Sequence, residues 1–181
     1  MSEDMETLFG DIDVACPPRR LSARPVITDA VRERFFSRVI KTDSCWLWTG
    51  AISSPDGYGR MALHHQGRQQ SVATHRLALW LAYPNLGTDF VAEHHCNEPL
   101  CVRVDPGHVH VSTQSDNLRY AVACGRAMGP RVTVNSAARV QRSRAVRELA
   151  LSGFSRAEYD AIVRRFSRQH EEVEQSSLFD L

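Results

Sequence analysis

The chain has 181 residues, a net charge of +1 and 43% hydrophobic residues, enough for one domain with a real core and a small appendage. No run of roughly 18 apolar residues is present to cross a bilayer as a helix. The acidic start MSEDMETLFGDID lacks the basic-then-apolar layout of a signal peptide, so a cytoplasmic, non-membrane protein is expected, and collagen-like or wholly disordered chains are excluded.

In chain order, residues 1–27 read as a loose arm, with Pro17, Pro18 and Pro25 and no period. Residues 29–40 read as a helix with Val31, Phe35 and Val39 on one face. Turn signals at Pro55-Asp56-Gly57 and Gln66-Gly67, between aromatic and β-branched runs, suggest a meander of three short strands. Residues 75–82, HRLALWLA, form a helix stopped near Pro84. Residues 89–95 are a strand, 96–107 a loop with two prolines, and 108–112, HVHVS, an alternating strand. Thr113-Gln114-Ser115-Asp116 then starts a helix that ends before Gly125. The order is strand, long loop, strand, helix. After Gly129-Pro130, residues 137–170 read as a helical hairpin broken at Gly153, with Ser155-x-x-Glu158 as a capping box. The expected fold is therefore α+β, with a main domain at 28–127 and an acidic tail at 171–181.

Charge is blocked along the chain. Residues 16–43 carry seven bases against three acids, and residues 117–168 eleven arginines against three acids, while the last thirteen residues carry four acids and no base. Local basic blocks suit a polyanion; an ordinary solvated helix face is the plain alternative. Of the 22 basic residues only Lys41 is lysine, so cationic contacts are guanidinium ones, suited to bidentate phosphate binding.

The five cysteines, at 16, 45, 96, 101 and 124, sit in a chain without an export signal, which argues for free thiols or metal ligands over disulfides. The run Glu93-His94-His95-Cys96-x4-Cys101-x6-His108-x8-Asn117 carries the chemistry. Cys96, Cys101 and His108 lie in and beside one loop. A structural Zn²⁺ needs four N or S ligands, and Cys45 is the best fourth. His94 ends one strand and Asn117 lies in the first turn of the next helix, so packing that helix across the strand pair would set them face to face. An imidazole that deprotonates a water, near a hard-cation ligand, is what phosphodiester hydrolysis needs.

The segments CWLWTGA, DGYGR, THRLAL, EHHCNEPLC and VDPGHVHVSTQSDN together resemble the HNH endonucleases of phages and mobile introns, particularly their His-Cys box relatives. The resemblance covers about residues 30–127. It implies a ββα-metal (His-Me finger) nuclease domain that cuts DNA to 5′-phosphate and 3′-hydroxyl ends. It implies His94 as general base, Asn117 as ligand of a catalytic Mg²⁺ or Mn²⁺, and Cys45, Cys96, Cys101 and His108 around a structural Zn²⁺. Arg60 and Arg76 become the candidates for contacting the scissile phosphate. The sequence departs from the family in three places. Cys101-Val-Arg-Val-Asp-Pro-Gly-His108 is two residues longer than the family's Cys-Val-Asn-Pro-x-His, which makes His110 the alternative ligand. Glu93 stands where many relatives have Asp as a second Mg²⁺ ligand. His95 beside His94 resembles the paired histidines of related nuclease toxins, where the second is the base.

The expected partner is double-stranded DNA, with a homodimer as one route to cutting both strands. Arg139, Arg142, Arg144 and Arg147, the densest basic stretch of the hairpin, are expected to grip phosphates; a capping subdomain is the plain alternative. Residues Gln175 to Phe179 resemble the short peptide that docks on bacterial sliding clamps. The rival from another class is a non-catalytic, zinc-stabilised DNA-binding protein on the same scaffold.

Overall fold

The computed structural model describes residues 24–65, 67–124 and 135–166. It is mixed α+β, with three small antiparallel sheets and five helices among these residues. No described helix is long and apolar enough to cross a membrane. The first 23 residues of the N-terminal arm, the acidic tail and the clamp-like peptide lie outside the described residues.

Helix α1, Asp29–Phe36, starts at Thr28, whose hydroxyl accepts from the Val31 N–H at 3.3 Å. It stops short of the expected residue 40. Val39, Ile40 and Lys41 leave the helix as β1 (Val39–Lys41) and pair antiparallel with β2 (Trp46–Trp48), Val39 facing Trp48. Two consecutive β-branched residues fit a pleat better than a helix turn.

The meander is β3 (Ala51–Ile52), β4 (Gly59–His65) and β5 (Arg68–Ala73). Gly57 makes its turn at φ +75°. Gly59 is required for another reason: a Cβ there would lie 2.4 Å from Thr74 Oγ1 and 2.6 Å from Trp48 Cδ1. Trp48 fills the space beneath and stacks on Phe35 at 5.5 Å between ring centroids. Helix α2, Thr74–Ala82, then buries Leu77, Ala78, Leu79, Trp80 and Leu81.

Strands β6 (Val91–His94) and β7 (Val109–Ser112) form an antiparallel pair in which Glu93 faces His110 and His94 faces Val109. Helix α3, Gln114–Ala123, follows at once, capped by Thr113 through the Asp116 N–H. The expected strand, loop, strand, helix order is present.

The C-terminal hairpin is α4 (Asn135–Gly153) and α5, residues 156–166. Gly153, at φ +115°, ends α4. Ser155 opens α5, its carbonyl accepting from the Tyr159 N–H at 3.0 Å. The hairpin is not a detached appendage. Val146 and Ala150 of α4 belong to the same buried cluster as Leu47, Trp48 and Leu100, and Tyr159 and Ile162 pack against it.

One carboxylate fastens this hairpin to the loop between β6 and β7. Glu98 is 0% exposed. Its Oε1 accepts from the Leu100 N–H at 3.1 Å, and its Oε2 accepts from Arg142 at 2.7 Å and from the Tyr159 hydroxyl at 2.9 Å. Burial raises the Tyr159 hydroxyl pKa, and the adjacent Glu98 charge adds to that. Removing Arg142 leaves a buried, uncompensated anion. Arg142→Met is therefore expected to destabilise the fold by about 3–5 kcal/mol in urea unfolding. A loss within about 0.5 kcal/mol, the size of an ordinary surface change, would show that the pair holds nothing together.

Candidate metal centre

Cys45, Cys96, Cys101 and His108 converge, their ligand atoms all lying within 4.8 Å of one another. Backbone pairing brings them there. Trp48 N–H donates to Leu100 O at 2.9 Å and Val102 N–H to Trp46 O at 2.8 Å. The loop after β6 is thus laid along β2, and Cys45, just before β2, is carried to Cys101. Asn97 takes the left-handed conformation, φ +54°, which asparagine tolerates better than most residues. It turns the chain between the two loop cysteines.

A local turn closes the stretch from Cys101 to His108. Asp105 Oδ1 accepts from the Gly107 N–H at 2.9 Å, Asp105 O accepts from the His108 N–H at 3.0 Å, and its carboxylate pairs with Arg103 at 2.5 Å. This turn brings His108 back beside the loop cysteines. His108 Nδ1 lies 3.7 Å from Cys45 Sγ and 3.5 Å from Cys101 Sγ. His110, the alternative ligand, faces Glu93 instead.

Three thiols this close cannot ionise independently. Hydrogen bonds from Cys101 and then Cys45 push the Cys96 thiol far down, towards thiolate. Hydrogen bonds with Cys45 and Cys96, reinforced by burial, push Cys101 far up. At Cys45 the bond with Cys101 pulls down, but the bond with Cys96, burial and the Cys96 charge outweigh it and raise the thiol to about 12. Without a cation, charge on Cys96 is favoured at the expense of the other two sulfurs. A divalent cation makes all three thiolates favourable at once. Together these four residues can hold a metal ion.

Successive side chains of β6 point to opposite faces, and this separates the paired histidines. His94, 8% exposed, faces inward. Its ring lies 4.7 Å from that of His75 and 5.7 Å from that of Tyr58. No hydrogen bond of normal geometry reaches either ring nitrogen, though the ring favours the Cys96 thiolate. His95 turns the other way, onto Tyr120 of α3 at 4.5 Å, and the Tyr120 hydroxyl donates to His95 O at 2.8 Å. Asn117, half-buried in the first turn of α3, is three residues from Tyr120 and so shares its face. The helix thus meets the strand pair through His95, where the sequence pattern led us to expect His94.

Arg60 bonds Asp56 Oδ2 at 2.7 Å and Ser53 Oγ at 3.1 Å and stays about one-third exposed. Arg76 is committed to the fold. It donates to Phe90 O at 2.8 Å and to Thr88 O, and lies 4.0 Å over the Phe90 ring. It fixes the segment entering β6. Of the four α4 arginines, Arg139 and Arg144 are exposed. Arg142 is paired to Glu98, and Arg147 reaches Gly50 O at 3.5 Å. Arg142 is thereby lost to an external partner.

Sequence reasoning did not single out His75. It begins α2 beside Tyr58 and His94, its Nδ1 closed off from solvent and unpartnered. Burial first, then the charges of His94, Arg60 and Arg76, hold its pKa well below the usual 6.5. Its place in the run Thr74-His75-Arg76 at a helix start was the available signal.

No protein-family profile, no curated protein and no solved structure matches this chain.

Two outcomes follow from this geometry. The protein as purified is expected to carry one tightly held metal at the cysteine cluster, and Cys96→Ser to unfold cooperatively at a much lower temperature. Native cysteines that all titrate freely, with no metal by elemental analysis, would contradict the centre. The second concerns pH. Below about 6.5 the unfolded chain binds a proton at His75 that the folded chain does not, so stability falls as pH drops from there towards the lower folded pKa. His75→Gln is expected to flatten that decline in urea unfolding at several pH values; parallel curves for the two proteins would contradict it.

Proposed function

We propose that the protein is a metal-dependent DNA endonuclease of the HNH and His-Cys box type, with the unit from β6 to α3 as its ββα-metal site and a structural Zn²⁺ at the cysteine cluster. The observation that carries this reading is the convergence of Cys45 with Cys96, Cys101 and His108 beneath a strand pair that runs directly into α3. That order places His94 at the end of β6 and Asn117 in the first turn of the helix. Zinc is favoured by the donors and the spacing. Metal–sulfur bonds of about 2.3 Å and metal–nitrogen bonds of about 2.0–2.1 Å give tetrahedral S···N edges of about 3.6 Å. The two measured edges are 3.5 and 3.7 Å.

In this reading His94 takes the proton from the attacking water. Neither ring nitrogen makes a hydrogen bond of normal geometry, and both are closed off from solvent in this structure, so substrate binding must open access to the ring. Arg60 is the phosphate contact, because its partner Asp56 is partly exposed and can be replaced by a stronger anion. Asn117 holds the Mg²⁺ or Mn²⁺, with Glu93 as the second candidate ligand. Such an ion, when bound, stabilises charge on the departing 3′ oxygen. Arg139 and Arg144 contact the DNA backbone outside the site and supply affinity without sequence readout. One site cuts one strand, so a double-strand break needs a dimer or two encounters.

A second assignment within the same reading makes His95 the base, since α3 and Asn117 face it through Tyr120. Plasmid nicking separates the two. Mg²⁺-dependent nicking abolished by EDTA is expected, with His94→Ala reduced about 10²–10⁴-fold and still folded. Loss in His95→Ala alone would move the base to His95. Gel-shift binding with no cleavage under any divalent ion would replace the enzyme by the zinc-stabilised DNA-binding protein. Arg139→Ala with Arg144→Ala is expected to lower the slope of log affinity on log salt by up to about 0.9 per lost contact; an unchanged slope would turn this face away from DNA.

A further inference from the structure

At the strand pair, from residues outside the cysteine cluster, we infer a second metal site, formed by Glu93, His95 and His110 and taking a divalent transition metal. Glu93 and His110 are direct cross-strand partners, and His95, just past the end of β6, donates its N–H to His108 O at 2.8 Å. Their ligand atoms lie within 4.8 Å of one another. Glu93 Oε1 is 3.7 Å from His95 Nε2, and Glu93 Oε2 is 3.7 Å from His110 Nε2. The two imidazoles stand edge to face with centroids 4.2 Å apart.

These distances are too long for hydrogen bonds. They are a few tenths of an ångström wider than the tetrahedral O···N edge of about 3.3–3.5 Å that such ligands make around one ion. The Glu93 side chain is 3% exposed, and its Oε1 has no hydrogen-bond partner. A buried carboxylate oxygen without a donor is costly, and a cation between the three residues removes that cost. Tyr120 packs on the His95 ring and bonds its carbonyl, fixing the ligand that would otherwise be most mobile.

The two sites differ in kind. The cysteine cluster supplies four ligands and closes the coordination shell. The second supplies three, and His95 leaves 41% of its side chain exposed, so water or a substrate oxygen completes the shell. Two imidazoles and one carboxylate favour zinc, iron(II), cobalt or manganese over magnesium, which prefers oxygen throughout. A histidine that gives its lone pair to a metal is no base, so an occupied site leaves proton abstraction to His94. The inference stands on Glu93, His95 and His110 alone, whatever reaction the protein performs.

The test uses untagged full-length protein loaded with zinc at the cysteine cluster, dialysed to equilibrium against micromolar Co²⁺. Total metal of two per chain is expected. The added cobalt should show weak d–d absorption and no thiolate charge-transfer band. Glu93→Gln and His95→Ala should each weaken it at least about 100-fold, beyond the effect of losing an outer-shell partner, while keeping the first metal. If Glu93→Gln fails to fold, the exposed His95 variant decides. A total of one metal per chain overturns the site, and so does a second equivalent that both variants retain unchanged.

Discussion

Three thiols and an imidazole drawn from two distant stretches of chain set the constraint on which the rest depends. Cys45 lies about fifty residues before Cys96 in the sequence. Holding the two together closes a long loop, whose entropy a small core would otherwise have to offset alone. That loop contains the meander and α2, so fixing its ends fixes where α2 lies relative to β6. The ligand cluster, uncompensated, is a poor core: two buried thiols and a half-buried one, in which charge on Cys96 is favoured at the expense of the others. A cation turns this electrostatic conflict into the anchor of the domain.

Glu98 extends the anchor outward. It sits between the two loop cysteines and reaches Arg142 and Tyr159. The C-terminal helices are therefore tied to the ligand loop through one carboxylate. The basic helix α4 has Arg142 turned inward to make this pair. What stays outside is the pair Arg139 and Arg144.

Much of the architecture was legible because it rests on local chemistry. Gly57 needs a positive φ, Thr113 and Ser155 begin helices, Gly153 ends one, and the Cys96-x4-Cys101 loop with His108 reads as a ligand set by spacing. The departures have a common cause: they are decided by what lies across the fold. Val39 and Ile40 continue an acceptable helical face, and only pairing with Trp48 and Leu47 makes them a strand. Glu98 reads as an ordinary surface charge and Arg142 as a phosphate contact, since nothing local marks a carboxylate that is to be buried under a helix more than forty residues away. His94 and His95 are adjacent in sequence, and the pleat alone sends them to opposite sides. The periodicity was readable, but which face α3 would cover depended on where Tyr120 lands. His75 lacked any partner in sequence; its importance comes from the ring of His94, brought to it by α2 packing on β6.

X-ray absorption at the metal edge of the as-purified protein probes the anchoring centre most directly. The account predicts a zinc edge with three sulfur scatterers at about 2.3 Å and one nitrogen at about 2.0–2.1 Å. A first shell of oxygen and nitrogen alone, or no metal bound to folded protein, would contradict it.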